Sequence, residues 1–295
     1  MGSPDIRQFA AAGEVNDLEG RMIQAVLFDL GETLLHFGQL EIGKIFDRAT
    51  RLSYEYLQSR NQPAGSFAVY RLRNFFGIRL HLLFSYLTGN DFDSLSILKK
   101  YGKKKGFSLS EAEWEELNWQ WYQPLTEKAQ TEPDIVQTLQ RLRQMGLRLG
   151  ILSNTFVHSS SLDRHLSQMG LLEFFPVRLY SYQFPFRKPD QRIFFEAARQ
   201  LQTEPRRIVF VGDRIEKDVR GAQRAGMTAV LKHAYTNQKK RVPDGIFRIQ
   251  YLSELPELIE TLNRSQRERS DGSQSVPEMH QSPVPSPIRP EGDSV

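Results

Sequence analysis

The chain has 295 residues, of which 39% are hydrophobic and 25% charged, an ordinary balance for a globular protein with a sizeable core. No apolar run approaches the roughly 18 residues that indicate a membrane span, and no basic segment followed by an apolar stretch indicates a secretory signal. Cysteine is absent, which excludes disulfides, thiolate metal sites and cysteine nucleophiles and is compatible with a cytoplasmic location.

The formal net charge of +4 is small, and a solvated surface explains it as well as nucleic-acid binding does. We therefore expect neither a nucleic-acid partner nor a membrane partner. One dense basic run extends from Lys99 to Lys105 and is interpreted as a solvated helix end or loop. The alternative interpretation of this run is a site that attracts anionic substrates.

The first regular element predicted is a short buried strand. Residues 1–21 lack periodicity, so a flexible leader is predicted there. The sequence from Ile23 to Leu27 is a short, mostly apolar run, and Asp29 and Gly31 follow it. This pattern is typical of a buried strand that ends in a polar turn.

Residues 40–128 differ in character from the rest of the chain. Aromatic and long apolar residues recur there at helical spacing, and polar breaks near 62–65, 89–90 and 102–106 divide the segment into several helices. Three residues near its end are interpreted as core packing between helices: Trp114, Trp119 and Trp121.

After Pro133, helices and strands alternate. Helices are predicted at 134–145, 161–169, 189–201 and 215–225, and buried strands at 147–152, 177–180, 208–211 and 228–231. This alternation predicts an α/β fold, with a mostly parallel sheet and helices on both of its faces. Residues 264–295 are rich in Ser, Pro, Gln, Arg and Glu, and are predicted to be a disordered tail.

Polar side chains follow three of the predicted strands. Asp29 follows the first strand, Ser153 and Asn154 follow the strand that ends at Leu152, and Asp213 follows the strand that ends near Val211. Ligands of parallel sheets bind outside the carboxyl ends of the strands, so we expect these side chains to converge on one site.

Two neighbouring carboxylates, Asp29 and Asp213, repel each other unless a cation lies between them, and hard oxygen ligands suit Mg²⁺. Asp218, five residues further on, is expected either to bind the metal through water or to orient Lys188. Lys188 precedes a predicted helix and can neutralise a carboxylate nucleophile and a bound phosphate together. The hydroxyls of Thr33 and Ser153 can donate hydrogen bonds to phosphate oxygens.

Four motifs, in chain order, resemble those of the haloacid dehalogenase superfamily, in the branch with a helical cap inserted after the first motif. Each motif alone is modest, but the ordered set is specific. The matching segments are Phe28–Leu34 (FDLGETL), Ile151–Asn154 (ILSN), Arg187–Asp190 (RKPD) with Ile193-Phe194, and Val211–Asp218 (VGDRIEKD) with Gly221-Ala222 and Ala225-Gly226.

The resemblance implies a Rossmann-like core at 22–36 and 131–263, with an all-helical cap at 37–130. It implies that Asp29 attacks phosphorus to form an aspartyl-phosphate, which water later hydrolyses. The implied Mg²⁺ ligands are Asp29, the backbone carbonyl of Gly31, and Asp213, with Asp218 in the same metal set. The implied phosphate-binding residues are Thr33, Ser153, Asn154 and Lys188.

One position departs from the family pattern. The residue two after the nucleophile is usually a second Asp that protonates the leaving group, but here it is Gly31. Positioned acid–base catalysis is typically worth about 10²- to 10⁴-fold, so its loss favours leaving groups that need little protonation. Glu32 can substitute if the loop turns it inward, although a solvent-facing position is the favoured interpretation.

Three functions follow from these residues. The favoured one is a Mg²⁺-dependent phosphatase that acts on a small phosphorylated metabolite. The second is a catalytically impaired descendant that uses the fold for binding. The third is a metal-independent haloacid dehalogenase, disfavoured because Asp213 and Asp218 together indicate a metal. Three arginines of the cap are candidates for contact with an anionic substrate, with solvent exposure as the default: Arg71, Arg73 and Arg79.

Overall fold

The core is a single sheet of six strands in the order β3-β2-β1-β4-β5-β6, and every neighbouring pair is parallel. The computed structural model describes residues 23–272, with side chains described to residue 265. The predicted parallel α/β fold is confirmed. The strands are β1 (Ala25–Phe28), β2 (Arg148–Ser153), β3 (Val177–Tyr180), β4 (Ile208–Gly212), β5 (Thr228–Lys232) and β6 (Phe247–Ile249).

Strand β1 shows that the sheet is covered on both faces. All four of its residues are buried, and they read as a continuous apolar run because neither face meets water. Val26 and Phe28 belong to one hydrophobic cluster, whereas Ala25 and Leu27 belong to another. Alternate side chains of a strand point to opposite faces, so the two clusters are the layers above and below the sheet.

Strand β6 was not predicted from the sequence. It has only three residues, and two of them, Phe247 and Arg248, are exposed. A strand this short gives no apolar run. Its pairing with β5 is therefore a consequence of the tertiary fold rather than of a local pattern.

Four helices lie between β1 and β2 along the chain. Residues 42–126, which contain these helices, are called the insertion below. The breaks between these helices fall near the three predicted positions. Gly89 ends the second helix in the left-handed conformation, at φ 73°, and Ser110 begins the fourth with a capping box to Glu113. The helices are α1 (Ile42–Ser59), α2 (Phe67–Thr88), α3 (Ser94–Lys104) and α4 (Glu111–Thr126).

The insertion has a small hydrophobic core of its own, in which Trp114 packs with Leu57 and Leu95. A Cβ atom on Gly102 would come within 2.4 Å of the Trp114 ring, so glycine allows α3 to approach α4 closely. Trp119 packs instead with the main core, and Trp121 is partly buried against the insertion core. The prediction that these tryptophans serve core packing is confirmed.

Five further α-helices follow the insertion within the described residues 23–272. The predicted helix at 215–225 differs from expectation, because a π-helical turn at Ile215–Val219 precedes a short α-helix. None of the helices described is both long and apolar enough to cross a bilayer. They are α5 (Ile135–Gln144), α6 (Ser159–Gln168), α7 (Gln191–Gln200), α8 (Arg220–Arg224) and α9 (Leu255–Gly272).

Helix α9 corrects the predicted start of the disordered tail. Residues 264–272, predicted to be disordered, continue this helix. The helix begins with the buried residues Leu255 and Ile259, and the Gln, Arg and Glu residues that follow are good helix formers. The remaining tail, 273–295, and the predicted leader, 1–21, lie outside the described residues.

A buried histidine connects the insertion to the core. Tyr122 of α4 places its Oη 2.9 Å from Nδ1 of His165 in α6. Burial lowers the pKa of His165 from its ordinary 6.5 to about 4. Between pH 4 and pH 6.5 the imidazole is therefore neutral in the folded protein, whereas in the unfolded chain it binds a proton.

We expect the free energy of unfolding to fall as the pH is lowered from 6.5 towards 4, because only the unfolded chain gains a proton on His165 in that window. One histidine contributes a slope of at most about 1.4 kcal/mol per pH unit. Urea unfolding at a series of pH values measures this slope. The His165→Asn variant lacks the titration and should show a shallower slope, and an equal slope would contradict the assignment.

Candidate active site

The predicted strand-end residues do converge. Phe28 pairs with Ile151 of β2 and with Val211 of β4, so the carboxyl ends of the three strands lie side by side. A cavity of ≈ 310 Å³ opens at this edge of the sheet. All but one of the predicted site residues line it, namely Asp29, Gly31, Ser153, Asn154, Lys188, Asp213 and Asp218.

Lys188 is the cation at the centre of the site. Its Nζ lies 2.7 Å from Asp29 Oδ1 and 2.7 Å from Asp218 Oδ1, and donates a hydrogen bond to the Leu152 carbonyl at 2.9 Å. The side chain is only 2% exposed. Burial lowers the pKa of the Lys188 ammonium, but Asp218 and Asp29 outweigh burial and hold that pKa above its usual value. Lys188 is therefore charged, as its predicted role requires.

Three carboxylates cluster here, and two of them, Asp29 and Asp218, contact the Lys188 ammonium. Asp29, Asp213 and Asp218 each offer one oxygen, and these oxygens lie within 4.8 Å of one another. Burial raises the pKa of all three carboxyls, and a neighbouring carboxylate raises each further. The cluster therefore favours additional positive charge.

Asp213 provides the test of whether a metal ion fits. Thr236 donates a hydrogen bond to its Oδ2, and Arg214 Nε lies 3.3 Å from the same oxygen. The other oxygen, Oδ1, is buried and has no hydrogen-bond partner among the residues that the structure describes. Buried polar atoms are rarely left without a partner, and a hard divalent cation satisfies a carboxylate oxygen of this kind. The donor set thus fits Mg²⁺.

Asp218 reaches the site from the π-helical turn, and its Oδ2 accepts a hydrogen bond from the Arg214 amide at 2.8 Å. A Cβ atom on Gly212 would lie 2.5 Å from the Cβ of Asp218, which no side chain permits. Glycine at the end of β4 therefore allows the turn to fold back over the strand. Asp218 was predicted either to bind the metal through water or to orient Lys188. Its contact with Lys188 Nζ at 2.7 Å directly supports the second role.

Asn154 holds the backbone of Lys188 from the opposite side. Its Nδ2 donates to the Lys188 carbonyl at 2.8 Å, and its Oδ1 accepts from the Lys188 amide at 2.9 Å. This reciprocal pair fixes the segment after β3 against the end of β2. Asn154 thus contributes to the site through Lys188, while Ser153 lines the cavity directly.

Thr33 does not line the cavity, contrary to its predicted contact with phosphate. The turn after β1 folds back tightly, because the amides of Leu34 and Leu35 both donate to the Leu30 carbonyl. Thr33 is fully buried in this turn, and its hydroxyl has no partner among the described residues.

The solvent-facing interpretation of Glu32 is wrong. The residue is 8% exposed and lines the cavity, with φ +60°. Its Oε1 accepts hydrogen bonds from the amides of Phe37 at 2.9 Å and Gly38 at 3.2 Å. Burial raises the pKa of the Glu32 carboxyl. Sequence alone did not indicate this position, because the turn that buries Glu32 is stabilised by contacts with the following linker.

Gly31 leaves space in the same region. A Cβ atom built on this glycine would meet no atom within 4 Å, and its φ lies outside the left-handed region. The position where the family pattern has a carboxylate is therefore empty of side chains, although the backbone could carry one.

Several cavity residues were not predicted to be part of the site. Arg214 and Lys217 lie between the two aspartates of the last motif, so their position in that motif could have indicated them. Tyr235, in the loop after β5, and Phe37 and Leu40, in the linker before α1, follow no sequence signal.

No residue of helices α1 to α4 is among the described residues that line the cavity. The arginines considered for substrate contact, Arg71, Arg73 and Arg79, are all exposed. Arg71 pairs with Asp47 at 2.7 Å, and Arg79 lies over the ring of Phe75. Their default interpretation as surface residues is supported.

Comparison with known proteins agrees with the geometry. A family model described as haloacid dehalogenase-like hydrolase matches residues 23–226. The match covers more than half of the chain, and the chain belongs to this family of hydrolases.

Similar proteins include phosphatases. The glyceraldehyde 3-phosphate phosphatase of Methanopyrus kandleri is 36% identical over 134 residues, which cover 44% of this chain and 57% of the relative. The crystal structure of an HAD phosphatase from Thermococcus onnurineus is 25% identical, with a TM-score of 0.50, and the match covers 80% of this chain and 98% of the other.

The 2-haloacid dehalogenase of Pseudomonas syringae pv. Tomato shares the fold, at 24% identity and a TM-score of 0.53, over 82% of this chain and 100% of the other. Sequence matches to curated relatives are shorter. The chain spans about half the length of the first of them, 57% of one and 47% of another.

Proposed function

We propose that the protein is a Mg²⁺-dependent phosphatase that acts on a small phosphorylated metabolite through an aspartyl-phosphate on Asp29. The observation that carries this proposal is the pairing of Lys188 with Asp29 beside an unpartnered oxygen of Asp213. A charged lysine next to the nucleophile and a carboxylate oxygen that accepts a cation supply the electrostatic stabilisation on which phosphoryl transfer depends.

Asp29 performs the covalent step. A carboxylate oxygen attacks phosphorus, the bond from phosphorus to the leaving oxygen breaks, and the bonding electrons leave with that oxygen. Water then attacks the aspartyl-phosphate, which releases inorganic phosphate and regenerates the carboxylate. Lys188 offsets the charge of Asp29 before attack and of the phosphoryl oxygens afterwards, and Asp218 and Asn154 hold it in place.

Asp29, Asp213 and the carbonyl of Gly31, with Asp218 beside them, are the groups that would hold Mg²⁺. When bound, the ion supplies positive charge against the phosphoryl oxygens. Without it, each of the three carboxyls is left beside another carboxyl that raises its pKa. Ser153, at the end of β2, lines the cavity in a position to donate a hydrogen bond to phosphate.

The proposed substrate is small because the cavity is small. Its volume of ≈ 310 Å³ is near the lower end of the usual range for ligand sites. The similar phosphatase of Methanopyrus kandleri is named for glyceraldehyde 3-phosphate, a small phosphorylated metabolite. Because Gly31 offers no carboxylate, we expect preference for substrates whose leaving group needs little protonation, such as acyl phosphates.

A substrate panel tests this function. Phosphate release is measured from p-nitrophenyl phosphate, acetyl phosphate and glyceraldehyde 3-phosphate, each with Mg²⁺ and with chelator. We expect release that requires Mg²⁺ and is fastest for the acyl and aryl phosphates. Activity that is unchanged by chelator would refute the metal dependence.

Two other functions give different results in the same assays. A binding protein without activity would release no phosphate from any member of the panel. A haloacid dehalogenase would release halide from a 2-haloacid in the presence of chelator. The cluster that Asp213 and Asp218 form with Asp29 supports the metal-dependent reaction over the dehalogenase.

A further inference from the structure

An ion pair joins the insertion to the loop that carries Lys188. Arg187 Nη1 lies 2.5 Å from Asp91 Oδ1, in the loop between α2 and α3, and donates to Ser85 Oγ at 3.0 Å. Nη2 donates to the Ser85 carbonyl at 3.2 Å. The side chains of Arg187 and Asp91 are 23% and 9% exposed, so this is not a solvated surface pair.

Asp91 also holds a second core loop. Ser181 donates a hydrogen bond to Asp91 Oδ2, and Ser181 Oγ accepts one from the Thr155 amide at 2.9 Å. Ser181 is fully buried. One carboxylate of the insertion therefore binds, directly or through one hydroxyl, both the segment after β2 and the segment after β3.

The same two segments place the catalytic lysine. Asn154 precedes Thr155, and Lys188 follows Arg187, and the two are joined by their reciprocal hydrogen bonds of 2.8 and 2.9 Å. Lys188 Nζ then reaches Asp29 at 2.7 Å. Polar contacts, together with the peptide bonds that join Arg187 to Lys188 and Thr155 to Asn154, thus connect the insertion to the nucleophile.

Neighbouring contacts keep the loop of Asp91 docked. The amide of Ser94 donates to the Phe156 carbonyl at 2.9 Å, and the rings of Phe92 and Phe156 stack with centroids 4.9 Å apart. These contacts hold the loop on the core but touch neither Arg187 nor Ser181. The carboxylate of Asp91 therefore has a separate role, since it fixes the two site-bearing segments relative to each other.

We propose that Asp91 and Arg187 are positioning residues. Their ion pair anchors the loop after β3 to the insertion and so keeps Lys188 and Asn154 in place beside Asp29. The expected effect on turnover rests on the proposed function, whereas the expected effect on the mobility of the two segments does not. Without the Asp91 charge, Arg187 loses its ion pair and keeps only its neutral acceptors on Ser85, so the segment that carries Lys188 is held less firmly. A displacement of about 1 Å near the reacting atoms can reduce the rate by about 10²-fold.

The test compares Asp91→Asn with a matched control, Glu116→Gln. Asn keeps the shape of Asp91 and removes its charge. Glu116 of α4 pairs with Arg164 of α6 at 2.6 Å, which is also an ion pair between the insertion and the core, but it contacts none of the site segments. Two measurements are made on the full chain of each variant: amide hydrogen exchange without substrate, and turnover of p-nitrophenyl phosphate with Mg²⁺.

We expect faster exchange at residues 154–158 and 181–188 in Asp91→Asn only. We also expect kcat to fall about tenfold or more in Asp91→Asn while KM changes little, because Lys188 acts mainly on the transition state. Glu116→Gln should match the wild type in both measurements. A loss of melting temperature that both variants share reflects the loss of an ion pair between insertion and core and does not count for the positioning role.

Three results would overturn the positioning role. These are unchanged exchange in Asp91→Asn, faster exchange without a loss of kcat, and an equal loss of kcat in Glu116→Gln. If the wild type itself releases no phosphate, the proposed phosphatase function fails, and the exchange measurement alone decides whether Asp91 fixes the two segments.

Discussion

Replacement of Asp29 by Asn is expected to reduce Mg²⁺-dependent phosphate release by at least about 10³-fold, because the amide cannot attack phosphorus and the residual rate depends on binding and electrostatics alone. Asn keeps the size of the side chain, and Lys188 keeps its contact with Asp218 at 2.7 Å. The fold should therefore survive the substitution. Single-turnover measurements with acetyl phosphate should also show no covalent phosphoryl-enzyme in this variant.

Asp163→Asn is the matched control for this loss. Asp163 is a partly buried core carboxylate that binds Arg178 and Tyr180, and it does not line the cavity. We expect its loss to lower stability while the kcat of the folded protein stays near that of the wild type. Retention of activity by Asp29→Asn would show that Asp29 is not the nucleophile, and an equal loss in Asp163→Asn would show that the loss is not specific to Asp29.

Replacement of Gly31 by Asp is expected to increase turnover of alkyl phosphates, whose leaving oxygen must be protonated. A Cβ atom at this position meets nothing within 4 Å, so the backbone can carry a side chain here without a clash at Cβ. A positioned general acid is typically worth about 10²- to 10⁴-fold, which sets the upper range of the gain. Turnover of p-nitrophenyl phosphate should change much less, since nitrophenolate leaves without a proton.

Gly31→Asn separates proton transfer from shape, because it adds a side chain of equal size that donates no carboxyl proton. Only the Asp variant should accelerate glyceraldehyde 3-phosphate hydrolysis. The additional substitution Glu32→Gln examines the neighbouring carboxyl, whose pKa is raised by burial. If Gly31→Asp leaves the ratio of alkyl to aryl turnover unchanged, the missing acid does not limit this enzyme.

The core of the fold was predictable because its strands are buried on both faces. Such strands read as apolar runs, and the strand predicted at 208–211 falls within Ile208–Gly212, whose five residues are all buried. The π-helical turn was not predictable, because it depends on the close approach of Asp218 to Gly212. Strand β6 was missed for a different reason, since two of its three side chains are exposed.

Within the candidate site, the sequence by itself determined which chemical groups are present and in which order. Asp29, Ser153, Lys188 and Asp213 follow strands or precede helices, and parallel pairing brings such positions to one edge of the sheet. Their convergence is a consequence of topology, which the alternation of helices and strands already encodes. The absence of a carboxylate at Gly31 was likewise evident from the sequence.

Only the tertiary structure decided which of these groups touch. It buried Glu32 against the linker, removed Thr33 from the cavity, and joined Lys188 to the insertion through Arg187 and Asp91. The physical reason is that each of these contacts joins a turn or loop to a partner whose position the local sequence does not set. Hydrophobic periodicity specifies helices and strands, whereas the direction of a polar side chain in a loop depends on the partners that the completed fold supplies.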